Sequence, residues 1–294
     1  MTTRRDLFVA TYLATAAAAV GAGVPSTASA QGDGRQSTVT LERLPAGVLA
    51  IGINRPSAGN LIDLSTFFAL GRAYYELEHD DPLRVAVLHA HGADFSPGLD
   101  PPSWIEGLRA GVFNGPIAEF INPVGTTRPY RSKPVVVAVH GLTQLLGHEL
   151  FLAADVRVAA RNTSFSQGEV LRGVFPGGGG TVRFTREAGW GNAMRYMLTG
   201  DQWGADEAYR LGLVQAVVPN GQQFDRAMVF AKKIAAAAPL GVRSVLASAH
   251  QALANEDAAL AALLPEFGRL MQSEDRQEYR RAVRDNRAPA FRGR

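Results

Sequence analysis

Apolar and polar side chains alternate over residues 38–44, the two-residue period of a half-buried strand. Pro45-Ala46-Gly47 marks a turn, and the apolar run over 48–54 predicts a second strand that closes a hairpin on the first. Asp63 stands as a cap before a helix reaching about His79, with Leu64, Phe67, Phe68, Leu70, Ala73 and Leu77 on its inward face. Residues 84–89 and 135–140 are continuous apolar runs, the mark of strands buried on both faces. A further strand is predicted over 155–160, helices over 191–198 and 205–211, and a late strand over 212–218. From Phe224 onward the period is helical, with breaks at Pro239 and near Asn255. Residues 91–132 are rich in Gly and Pro and read as an irregular connection: a lid, a binding loop or a disordered piece. No repeat of fixed period is present. Strands alternating with helices predict an α/β core with a helical C-terminal section.

The first thirty residues change that picture. Thr3-Arg4-Arg5-Asp6-Leu7-Phe8 is a twin-arginine pattern, a mildly apolar Ala-rich stretch follows, and Ala28-Ser29-Ala30 has the small-x-small form of a cleavage site. The stretch is too short and too rich in Ala, Thr and Gly for stable spanning. Residues 1–30 are therefore expected to be a signal peptide of a chain exported to the periplasm or beyond, with no membrane association after cleavage. Residues 31–36 are expected to be disordered, 37–222 to form the core, and 223–294 a C-terminal helical region. There is no cysteine, so disulfides and thiolate chemistry are excluded. The formal net charge of +3 on 294 residues, with scattered Lys and Arg, argues against a nucleic-acid partner. The arginine-rich end, 276–294, reads as a solvated helix face and tail or as an anion contact.

Candidate chemistry concentrates between Lys133 and Arg183. Glu149 and Glu169 each stand where a turn meets regular structure, a place that can hold a carboxylate at the floor of a pocket. Two carboxylates sharing one water can run acid–base chemistry. The plainer roles are a helix cap for Glu149 and a loop contact for Glu169. Gly177–Gly180 should turn tightly into a helix starting near Thr181; that helix start could bind an anion or pack closely beside Glu169.

Lys133-Pro134-Val135, Ala138-Val139-His140-Gly141, Gly147-His148-Glu149-Leu150, Ala153-Ala154-Asp155-Val156-Arg157, the stretch 165–181, Leu198-Thr199-Gly200, 208–219 and the ending 286–294 follow one another in an order that resembles the crotonase (enoyl-CoA hydratase/isomerase) superfamily. The resemblance spans 38–294. It implies a spiral of ββα turns forming two roughly perpendicular sheets, with C-terminal helices that drive assembly into a homotrimer or a dimer of trimers. It also implies an enolate held by two backbone N–H groups. These fall at Leu99, after Gly98 in Phe95-Ser96-Pro97-Gly98-Leu99-Asp100, and at Leu146, where the family normally has a glycine. Glu149 and Glu169 match both glutamates of the family's hydratases, with Glu149 activating the water and Glu169 giving a proton to the α-carbon. The implied activity is hydro-lyase chemistry on a small carbonyl-conjugated substrate, with no tightly bound cofactor. The family's usual substrate is a CoA thioester.

Three departures point away from a plain acyl-CoA enzyme. The basic residue expected near Ala58 is absent, Asp100 is followed by Pro101-Pro102-Ser103-Trp104 instead of an apolar–basic pair, and free acyl-CoA is not expected outside the cytoplasm. A second enzyme reading is a CoA-independent hydrolase or lyase of a small β-diketone or enone, resembling 6-oxocamphor hydrolase. His140 matches a histidine of that enzyme, whereas Glu169 and Gly178 replace its second histidine and its aspartate. His148, Asp100, Trp104, Gly98 and Gly177 could also border the pocket, as could His89 and His91, although two histidines do not make a metal site and no metal is expected. A third reading is an exported, non-catalytic scaffold of the same fold.

Overall fold

The computed structural model describes residues 37–113, 115 and 117–294. The expected signal peptide and the segment 31–36 lie outside the described residues.

Strands β1 (Val39–Leu44) and β2 (Val48–Ile53) form the predicted antiparallel hairpin. The turn between them places Ala46 and Gly47 at positive φ. Helix α1 (Leu64–His79) follows, and the Asp63 carboxylate accepts from the Thr66 N–H at 2.7 Å, a cap of the kind that contributes about 1 kcal/mol. Strand β3 (Val85–Ala90) runs parallel to β2, and β4 (Val135–Val139) parallel to β3. Strands β6 (Val156–Ala160) and β9 (Ala216–Val218) complete a six-stranded sheet of order β1-β2-β3-β4-β6-β9. Every residue of β4 is buried: its alternate side chains enter two different cores. Val135, Val137 and Val139 join Leu49, Ile51, Leu88 and the α1 face. Val136 and Ala138 meet α7 (Gln223–Ala236), whose Ala227, Ala231 and Ala235 repeat every four residues. Small side chains at that spacing let a helix approach a sheet closely.

α7 begins at residue 223, within the expected C-terminal helical region. α7 is a layer of the core, and the helices with little burial begin at Pro239. These are α8 (Pro239–Ala254), α9 (Glu256–Met271) and α10 (Glu274–Arg284). The breaks at Pro239 and Asn255 are helix boundaries, the second capped by the Asn255 side chain on the Ala258 N–H. α8 buries no residue fully, and Leu264 and Phe267 of α9 are 81% and 61% exposed.

The connection 91–132, read as irregular, contains helix α2 (Pro101–Arg109). Pro101 and Pro102 sit in its first turn, where the missing N–H is no loss. A second sheet of order β5-β7-β8 is built from β5 (Leu142–Gln144), β7 (Ser164–Ser166) and β8 (Trp203–Gly204). Such short strands carry almost no periodic signal, so the chain pattern did not predict them.

Candidate active site

The small sheet gathers the candidate chemistry. The loop after β3 lies beside β5, with the Ser96 N–H on the Leu142 carbonyl and the Gln144 N–H on the Ser96 carbonyl, both at 2.9 Å. Ser96 registers with Thr143, Thr143 with Phe165, and Phe165 with Trp203. Leu99, Leu146 and Glu169 all lie a few residues beyond that one row, so three segments distant in sequence end side by side. Glu149 follows one turn into α3 (Leu146–Leu152).

Ile62 donates to the Gly98 carbonyl and accepts from the Asp100 N–H, both at 2.9 Å. The N–H of the residue between, Leu99, consequently faces the other way. Leu146 is the first residue of its helix, where an N–H has no partner inside the helix. Among the described residues neither amide has an acceptor. Gly98 has φ +124°, and a Cβ there would meet the Leu145 Cβ at 3.0 Å, so glycine lets the two amide-bearing turns touch. Leu145 itself has φ 51° and ψ −123°, a conformation costing a non-glycine residue roughly 1–3 kcal/mol.

Both glutamates are buried, Glu149 at 3% and Glu169 at 8% exposure. One oxygen of Glu149, Oε1, accepts the N–H groups of Gly178 at 2.7 Å and Gly180 at 2.9 Å. The glycine turn leading into α4 (Gly180–Ala188) therefore holds a carboxyl group, the side chain of Glu149. Arg183 fixes the turn from behind by donating to the Gly178 and Gly125 carbonyls, each at 3.1 Å. Glu169 opens the 3-10 turn Glu169–Arg172. Its Oε1 accepts from Gln167 Nε2 at 2.7 Å, while its Oε2 is buried and has no partner among the described residues.

Burial pushes the Glu149 carboxyl up to about 7; the Gly180 and Gly178 amides oppose the rise and the charge of Glu169 adds to it. Burial also raises Glu169, against its own backbone amide and the Gln167 amide. The two carboxyls interact, so these values belong to the pair, and their order does not assign the roles. The hydrogen bonds discriminate better. Two amides at hydrogen-bond distance favour the ionised form of Glu149, while Glu169 has one donor at that distance, Gln167, and an oxygen free to carry a proton.

The remaining candidate residues fall in different places. His148 is fully buried among Phe151, Phe165, Phe184 and Trp203, which keeps it out of any open pocket. Burial lowers it to about 4, so it is neutral at pH 7. Gln167 commits Nε2 to Glu169, so its Oε1 accepts from His148 Nδ1. His140 follows the last residue of β4, with Nε2 at 3.0 Å from the Gly92 carbonyl. His89 packs against Phe224 of α7, and His91 Nε2 meets Thr40 Oγ1 at 2.9 Å. Among the described residues no cluster of three or more His, Asp or Glu has metal-binding geometry. Trp104 donates to the Ile62 carbonyl at 2.8 Å, meets Phe67 edge-on and stacks on Phe113, bracing the segment beside Leu99. Asp100 lies 3.9 Å from Arg55, which pairs more closely with Asp63 at 3.1 Å. Gly177 is exposed with open space around it. The contributions of Gln167, Arg183 and the Gly178 and Gly180 amides were not anticipated; the four consecutive glycines were their only signal.

The Enoyl-CoA hydratase/isomerase family model matches residues 43–294. The short-chain-enoyl-CoA hydratase of Clostridium acetobutylicum is 32% identical over 238 residues, covering 79% of this chain and 88% of that protein. The carnitinyl-CoA dehydratase of Salmonella typhi is 32% identical over 254 residues, covering 84% of this chain and 95% of that protein. A probable enoyl-CoA hydratase/isomerase from Mycobacterium abscessus superposes with a TM-score of 0.84 at 42% identity, over 87% of this chain and 99% of that one. An enoyl-CoA hydratase from Mycobacterium tuberculosis gives 0.80 at 33% identity, over 88% and 100%. With fold, order of segments and sequence in agreement over nearly all the described residues, the chain belongs to the enoyl-CoA hydratase/isomerase family.

Proposed function

We propose that this protein is a hydro-lyase of enoyl-CoA hydratase type, adding water to, or removing it from, a double bond conjugated to a carbonyl. What supports the reading is that Glu149 and Glu169 are both buried carboxyls of raised pKa and that the Leu99 and Leu146 amides lack acceptors among the described residues. Glu149, ionised, takes a proton from water, and the oxygen attacks the β-carbon. Charge moves to the carbonyl oxygen, which the Leu99 and Leu146 N–H groups stabilise; one such donor is worth roughly 2.7–4 kcal/mol. Glu169 delivers its Oε2 proton to the α-carbon. The pair ends with its single proton on the other carboxyl, and a proton shift between them restores the start.

A CoA thioester is the substrate class that the activities named for these relatives favour. Arg55 is engaged with Asp63, so this chain must meet the phosphates of such a substrate with other groups. The diketone-hydrolase reading required His140 at the site; its bond to the Gly92 carbonyl gives that reading no support. The mature chain is exported by the twin-arginine route. It assembles with copies of itself, as a trimer or a dimer of trimers, through the apolar surface that α8 and α9 leave exposed. Sedimentation of the mature protein should give the mass of three or six chains, and a monomer would remove this assignment.

Purified mature protein supplied with crotonyl-CoA and, separately, a cyclic 1,3-diketone should hydrate the first. Turnover of the diketone alone would overturn the reading, and turnover of neither would favour a scaffold. Glu169→Gln should lower kcat by about 10²–10⁴-fold, the usual contribution of a positioned acid. Retained activity would remove its role as proton donor.

A further inference from the structure

We propose that a cationic cleft at the opposite end of the large sheet is a second binding site, one that takes a phosphate group. The glutamate pair lies beyond the C-terminal ends of the parallel strands. This cleft, of about 420 Å³, lies where β3 and β4 begin, and Arg84, Lys133, Arg243, Arg292 and Arg294 line it. That volume falls in the range of small-molecule pockets.

The charges in it are unbalanced. Arg243 is shared with Glu78 at 3.2 Å and Arg294 with Glu274 at 2.9 Å. Lys133 is only 6% exposed, and its ammonium donates to the Asp80 carbonyl at 2.8 Å. Arg84 donates to the Ala235 carbonyl at 2.9 Å and to the Phe291 carbonyl. Those partners are neutral. Among the described residues Arg84, Lys133 and Arg292 have no ion-pair partner, and the acid lining the cleft without one is Asp81. Glu78, Asp80 and Asp81 act on Lys133 from beyond ion-pair distance; a largely buried cation is costly to leave without a directly paired charge, and a bound anion would supply one.

Two further features shape the cleft for an anion. Helix α8, sixteen residues long, starts here at Pro239, and its N-cap residue, Ala238, has no side chain to offer the first turn. The Leu240 and Gly241 amides have no acceptor among the described residues, and the positive end of the helix dipole adds to them. The opposite wall is the C-terminal tail, and it is fixed. The buried Asp275 carboxylate accepts from the Arg292 N–H at 2.6 Å and from the Gly293 N–H at 2.9 Å. Guanidinium, ammonium and amide groups thus line the cleft from the strand starts, from α8 and from the tail, the donor types a tetrahedral dianion takes. Leu83, Pro134, Ile234 and Leu240 provide apolar wall beside them, which suits the body of a small phosphomonoester as well as the free ion.

The inference is independent of the proposed hydration chemistry. Titration calorimetry of the mature protein, with inorganic phosphate and with phenyl phosphate, tests it directly. Saturable binding that weakens with salt is expected, lowered about tenfold or more by Lys133→Met and by Arg292→Met, the loss of one charge-assisted bond. Tighter binding of phenyl phosphate would assign the site to an ester, and equal binding to the free ion. Arg292 is exposed, so its variant tests the site even where Lys133→Met fails to fold. Glu149→Gln should leave the phosphate titration unchanged. The proposal is overturned if neither probe binds, if both Met variants bind as the parent does, or if Glu149→Gln abolishes the binding.

Discussion

Replacing Glu149 by Gln should give a protein that is more stable above neutral pH and almost inactive. Burial and the mutual repulsion of the two carboxyls hold the pair's last proton up to about pH 7, whereas an unfolded chain releases it near 4.5. Over that interval the folded state binds more protons, so stability falls as pH rises through it and the loss is complete above about 7. A shift of this size corresponds to about 3 kcal/mol. Gln keeps an oxygen for the Gly178 and Gly180 N–H groups and cannot ionise, so the variant never has to hold two buried charges and those bonds stay unbroken. Denaturant unfolding at pH 8 should show the gain, and at pH 4 the variant and parent should coincide. Activity should fall by about 10²–10⁴-fold, because an amide cannot take a proton from water. In the parent, activity should decline about tenfold per pH unit well above 7, where the pair loses its last proton. An equal stability difference at both pH values would mean that burial does not keep a proton on the pair up to about pH 7.

Much of the scaffold could be read from the chain because its signals are local. The Asp63 cap, the five-residue apolar run of β4, and the breaks at Pro239 and Asn255 each depend on a few neighbouring residues. Helix α7 was legible as a helix, but its place was not. The Ala227, Ala231 and Ala235 spacing says which face is small, not that the face meets Val136 and Ala138. The site was legible only through the family resemblance. Its parts come from three segments joined by pairings of Ser96, Thr143 and Phe165, and strands of two or three residues leave no period to detect. The clearest misplacement by sequence was His148. Adjacent to Glu149 in the chain, it points into a cage of aromatic rings and reaches the other glutamate through Gln167. Adjacent residues on a helix face different directions, so a neighbour of a catalytic residue is commonly on another side.

Gly178→Ala should slow the reaction about 100-fold while leaving the protein folded. The Gly178 backbone is not in the left-handed region, so alanine adds no conformational strain there. Its Cβ, however, would stand 2.6 Å from Glu149 Oε2 and 2.8 Å from the carboxyl carbon. The carboxylate is the end of a movable side chain, and it must shift by several tenths of an ångström or more. Misplacing a reacting group by about 1 Å costs on the order of 10²-fold. The loss should appear in kcat with little change in KM, because substrate binding does not depend on that oxygen. Combining Gly178→Ala with Glu149→Gln should cost hardly more than Glu149→Gln alone, since the alanine acts by displacing a carboxylate that the second change has already disabled. Fully additive losses would mean that Gly178 acts on the substrate directly, and the glycine turn would then be a wall of the pocket instead of a clamp on Glu149.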